Sequence, residues 1–109
     1  MQTPPISGSG STPDFDPNTS ALKRFAAIKD LGAQMYKEEN HSKREALLDQ
    51  INRDIDEILL LINASSSDLE DIQLVRNNAY SVCHGQSIEN RKTDFDYLCR
   101  AMDTLTTNL

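Results

Sequence analysis

The most constraining feature of this sequence is a set of apolar residues spaced by alternating steps of three and four: Leu48, Ile51, Ile55, Ile58 and Ile62. On an α-helix that spacing places all five side chains on one stripe, whereas a half-buried strand would alternate every second residue. Leu47, Leu59 and Leu61 flank the stripe and make it wider than the seam of a two-stranded coiled coil. A helix with so broad an apolar face must lie against more than one neighbour.

The same period recurs in three other places. Near residues 18–37 it runs through Phe25, Ile28, Gly32 and Met35, broadened by Leu22, Leu31 and Tyr36. Leu69, Ile72, Val75, Ala79, Val82 and Cys83 form a third stripe, and Phe95, Leu98, Met102 and Leu105 a fourth, extended by Ile88 and Leu109. Capping residues punctuate the stripes. Asp16-Pro17 suits a helix start. Ser42-Lys43-Arg44-Glu45 and Ser67-Asp68-Leu69-Glu70 both have the capping-box form, in which a hydroxyl and a carboxylate satisfy reciprocal backbone amides. Gly85 reads as a C-terminal stop, and the last helix starts between Ser87 and Thr93. Gly32, inside a helical stripe, costs up to about 1 kcal/mol relative to alanine and so marks either close approach by a neighbouring helix, the preferred reading, or a local break.

These signals predict an all-α fold: a small antiparallel helical bundle of four helices, with three as the alternative count. Short connections place consecutive helices antiparallel. The bundle domain is expected over residues 18–109. Residues 1–17 read as a flexible tail rich in proline, glycine and serine, with too little apolar surface to offset the entropy of ordering it.

Composition excludes several functional classes. Eleven Lys and Arg against 17 Asp and Glu give a net charge of −6 without a basic segment, which argues against direct binding to a nucleic-acid backbone. The longest apolar run, Ile58 to Ile62, is far short of the roughly 20 residues that span a bilayer. Met1 to Thr12 lacks the basic and apolar regions of a secretory signal, so the cytoplasm is the expected compartment. Three Asn-x-Ser/Thr triplets, at Asn18, Asn40 and Asn63, fall where helix ends are expected and read as capping residues.

No catalytic constellation is apparent, and the chain is expected not to be an enzyme. Phosphate-binding glycine loops, a nucleophile-elbow serine and the His-Glu-x-x-His zinc motif are all missing. Cys83 and Cys99 are too few and too far apart for a zinc site by spacing alone, and they read as core or boundary residues. Asp49, Asp56 and Glu57 fall away from the second stripe and read as a solvated face. His41, placed just before a helix cap, and His84, at a helix C-terminus, read as solvated or capping residues. No metal, cofactor or catalytic residue is therefore assigned.

What remains is apolar surface outside the stripes. Leu60 lies roughly 160° from its seam neighbours, Leu74 falls off the third stripe, and Tyr80 and Tyr97 are boundary or outward aromatics. These four are the candidate partner-binding residues. The leading expectation is a non-catalytic protein–protein interaction module, such as a helical adaptor, secretion-type chaperone or regulatory subunit, with a homo-oligomer as one form it could take. The alternatives are an acidic inhibitor of a nucleic-acid-binding protein, and a small phosphorelay carrier using His84. Thr107-Asn108-Leu109 has the form of a PDZ-type ligand, but Leu109 reads better as the end of the fourth stripe.

Overall fold

The computed structural model describes residues 17–107, which form four helices: α1 (Pro17–Lys37), α2 (His41–Leu61), α3 (Ser66–His84) and α4 (Ile88–Thr107). The tail expected over 1–17, apart from Pro17, and the expected roles of Leu109 lie outside the described residues. Connections of three or four residues join the helices, so each reverses direction on its predecessor. α1 pairs most extensively with α2, and α3 with α4; α1–α4 and α2–α3 contacts close the ring. α1 also touches α3 across the centre, whereas α2 and α4 stay apart, so the cross-section is a flattened ring. Among the described residues, no helix is long and apolar enough to cross a membrane.

Side chains of the four stripes fill the centre. Phe25, Ile28 and Met35 from α1 meet Ile51, Ile55 and Ile58 from α2, Ile72, Val75, Ala79, Val82 and Cys83 from α3, and Leu98, Met102 and Leu105 from α4. Ala21 joins them, and its neighbour Leu22 is 46% exposed, so the α1 stripe begins one residue earlier than its apolar pattern implies. Stripe ends are looser than their period suggests. Leu48 and Ile62 are half-buried, and Leu69 and Ile88, each in the first turn of its helix, are exposed because no element lies over them.

The helix starts differ from the capping-box reading. α2 is capped by Asn40, whose side chain accepts from the Lys43 amide at 3.1 Å, so His41 is the first helical residue and not a loop residue. Asn caps as well as Ser, and the earlier start places Arg44 at the end of the first turn. α3 does use a capping box, but with Ser65 and Asp68: the Asp68 amide donates to Ser65 Oγ at 3.1 Å and the Ser65 amide to Asp68 Oδ2 at 3.0 Å. Either serine frame offers an acid three residues on; the earlier one adds two residues to the helix. α4 is capped by Ser87, which accepts from the Asn90 amide.

Gly32 is where α4 comes closest to α1. A Cβ there would stand 3.0 Å from Leu98 Cδ2 and 3.0 Å from Phe95 Cε1. Leu98 is fully buried, so it has little room to retreat. Alanine's helix propensity favours the substitution by about 1 kcal/mol, but overpacking a closed interface costs about 1–3 kcal/mol. Gly32→Ala is expected to lower stability by about 1 kcal/mol, read as a lower urea midpoint at unchanged slope.

Candidate functional site

One pole of the bundle gathers the C-termini of α1 and α3 and the N-termini of α2 and α4. The last carbonyls of a helix lack intrahelical donors, and the negative end of the helix dipole adds to the demand for a cation. Two arginines meet it. Arg44, from the first turn of α2, donates from Nε to the Cys83 carbonyl at 2.8 Å and from Nη1 to the carbonyls of Glu38 at 2.8 Å and Glu39 at 2.9 Å. Arg91, from the first turn of α4, donates to the Tyr36 carbonyl at 2.9 Å, the Gly85 carbonyl at 3.1 Å and Glu39 Oε1 at 3.0 Å. Arg91 is only 2% exposed.

Gly85 belongs to this arrangement, though not as the left-handed stop its position suggests. Its backbone is extended, with φ −64° and ψ 141°. What requires glycine is space, since a Cβ would lie 2.6 Å from Arg91 Cγ.

Three side chains of types that can ligate a metal lie at the same pole. His41 opens α2, and Cys83 and His84 close α3. Because the two helices are antiparallel neighbours, the imidazole nitrogens and the thiol sulfur come within 4.8 Å of one another. The two imidazoles meet edge to face, with centroids 5.1 Å apart, and the Tyr80 ring centroid lies 4.2 Å from that of His84. Cys83 is buried while both histidines are exposed. Burial pushes the Cys83 thiol above the ordinary range, aided by the Glu45 and Asp49 carboxylates and opposed by the Arg44 guanidinium. Cys99, half-buried on α4, is also pushed up by burial; neither cysteine is in a disulfide. A Glu-x-x-His spacing does occur, at Glu38 and His41, but it spans the α1–α2 connection, and Glu38 Oε2 accepts from the Asn40 amide at 3.1 Å. It is therefore not the inward-facing pair of a di-metal bundle.

Two shallow grooves run between α3 and α4. The one nearest this pole, about 540 Å³, is walled by Tyr80, Ser81, His84, Gly85, Asn90 and Asp94, among others. The second, about 320 Å³, is walled by Asp71, Leu74, Asn78, Tyr97, Arg100, Ala101 and Thr104. Of the four candidate partner-binding residues, the fold therefore sets Leu74 and Tyr97 around one groove and Tyr80 on the adjoining one. Leu60, 86% exposed on α2, lines neither. Leu74, Tyr80 and Tyr97 are each more than half exposed, and the Arg100 guanidinium stacks over the Tyr97 ring at 5.6 Å.

The polar residues inside the fold carry no apolar-period signal. Arg44 and Arg91 each sit in the first turn of a helix, where acidic residues are the usual choice, and that misplacement is the one trace they leave in the sequence. Asp54, also buried, faces Arg24 of α1 at 3.6 Å and accepts from Gln50. The exposed carboxylates Asp56 and Glu57 reach Arg76 and Arg24, both at 2.5 Å. Comparison with protein-family models, curated proteins and solved structures gives no match to this chain.

Two outcomes follow at this pole. Arg91→Met keeps most of the volume but leaves the Tyr36 and Gly85 carbonyls without their donor, and should cost about 3 kcal/mol in denaturant unfolding. Arg91→Lys should recover little, because one ammonium cannot serve three separated acceptors. The raised Cys83 pKa also has a sign for stability. Folded and unfolded chains both hold the thiol proton below the unfolded pKa, of about 8.5, so stability is undiminished there. As pH rises further the unfolded thiol ionises first, and stability falls. Melting temperatures between pH 8 and 10 should fall more steeply for the wild type than for Cys83→Ala.

Proposed function

We propose that this chain is a non-catalytic protein–protein interaction module that docks an amphipathic helix of a partner protein along its α3/α4 face. The observation that carries this reading is the placement of Leu74, Tyr80 and Tyr97. Three large side chains left out of a core that is complete without them stand along one inter-helix face. Scattered exposed apolar residues need no explanation, but their alignment over a groove is what an interface requires. The surroundings suit a protein surface. Tyrosine and arginine are enriched at interfaces, and Tyr97 with Arg100 supplies both around a groove rimmed by Asp71 and Asn78. Two ridges of parallel side chains with a furrow between them match the helix-in-groove mode of recognition, in which apolar anchors enter at helical spacing. A cytoplasmic setting goes with this reading, since both thiols are unpaired.

The test compares the wild-type chain with the double variant Leu74→Ser, Tyr97→Ser in quantitative affinity purification. Both side chains are about half exposed, so the variant should melt within a few degrees of the wild type. The expected result is a partner retained by the wild type and reduced at least tenfold by the variant. Identical retention by both chains would overturn the docking face. Native mass spectrometry separates a second copy of the chain from a different partner as the occupant.

A further inference from the structure

We infer that His41, Cys83 and His84 form a binding site for a zinc-class divalent transition-metal ion. Two neutral imidazoles and one thiolate are the donor types that select zinc, cobalt(II), nickel or copper over magnesium and calcium, which take oxygen ligands. The three come from two helices, so the site exists only in the folded bundle. Their ligand atoms already lie within 4.8 Å of one another. Zinc–nitrogen and zinc–sulfur bonds of about 2.0–2.3 Å put tetrahedral donors about 3.4–3.7 Å apart, so the group needs to close by about 1 Å. Both histidines are exposed, so their imidazoles have room to shift toward Cys83, which is buried and is the fixed point.

The surroundings hold the group in the way a metal site requires. Arg44 Nε fixes the Cys83 carbonyl at 2.8 Å, which sets the last turn of α3. The Tyr80 ring packs against the His84 imidazole, with centroids 4.2 Å apart. Around the Cys83 thiol the Arg44 guanidinium opposes a bound cation, while the Glu45 and Asp49 carboxylates favour one. On binding, the Cys83 S–H bond is replaced by a metal–sulfur bond and the proton leaves to solvent. Three protein donors leave a fourth position, and His84 also lines the groove of about 540 Å³ between α3 and α4, so that position has access to solvent. Three-donor sites of this kind keep one coordination position open to water or another small ligand, in contrast to the closed four-donor sites of structural zinc. The assignment is independent of the docking face, because neither Leu74 nor Tyr97 takes part.

Cobalt(II) is the probe. Titrated into the reduced, tag-free full chain, Co(II) alone should bind one to one. It should give a near-ultraviolet sulfur-to-metal charge-transfer band and the intense visible bands of a tetrahedral ion, both abolished by stoichiometric Zn(II) and untouched by excess Mg(II). His41→Gln and His84→Gln, each at an exposed position, should keep the thermal melt of the wild type and weaken Co(II) binding about tenfold or more. Cys83→Ser should remove the charge-transfer band, and Cys99→Ser should leave it unchanged. The site is overturned by a pale octahedral spectrum in the wild type, by undiminished Co(II) affinity in both histidine variants, or by a charge-transfer band that follows Cys99. If Cys83→Ser does not fold, the two histidine variants decide the matter.

Discussion

Two guanidinium groups at one pole set the geometry on which the rest of this bundle depends. Burying helix ends is costly, because the last carbonyls of each helix have no partner within it. Here the C-termini of α1 and α3 converge, and Arg44 and Arg91 together satisfy five carbonyls from two stretches of chain: Tyr36, Glu38 and Glu39, then Cys83 and Gly85. A lysine in either place would reach fewer acceptors, since its donors share one point. The arrangement explains one detail of the sequence: residue 85 must lack a Cβ so that Arg91 can pass.

The fold was legible in the sequence because its information lies in apolar period, and period is local. Four stripes gave four helices, and even the tight spot at Gly32 could be anticipated from a glycine inside a stripe. What periodicity cannot show is which polar residue is drawn inside. Arg44 sits in the middle of a capping-box pattern and Arg91 in no pattern at all, because a charged residue near a helix start reads as solvated surface until a second helix end is known to lie over it. The capping frames moved for a similar reason. Asn40 and Ser42, or Ser65 and Ser67, are locally near-equivalent caps, and tertiary contacts decide between them.

The histidine–cysteine group shows the same boundary. Along the chain Cys83 has one ligand-type neighbour, His84, and nothing in the spacing points to His41. The antiparallel return of α3 on α2 supplies that third donor. In the same way Leu74 and Tyr97 could each be read as outward-facing, but only the pairing of α3 with α4 sets them around one groove. Sequence patterns thus identified exposed side chains singly, and topology made surfaces of them.

The two ends of the bundle are unequal in a way that bears on its motions. The pole of Arg44 and Arg91 is cross-tied between helices through buried hydrogen bonds. Toward the opposite pole, with the start of α1 and the end of α4, the side-chain ties between helices are the exposed ion pairs Arg24–Glu57 and Lys29–Asp103, while the reciprocal pair of Ser65 and Asp68 lies within a single helix start. Fluctuations in a helical bundle begin where inter-helix ties are fewest. Amide exchange should therefore follow a gradient, fastest around the α2–α3 connection and slowest beneath the guanidinium ties, so that the chain opens like a clothes-peg about a hinge at one end.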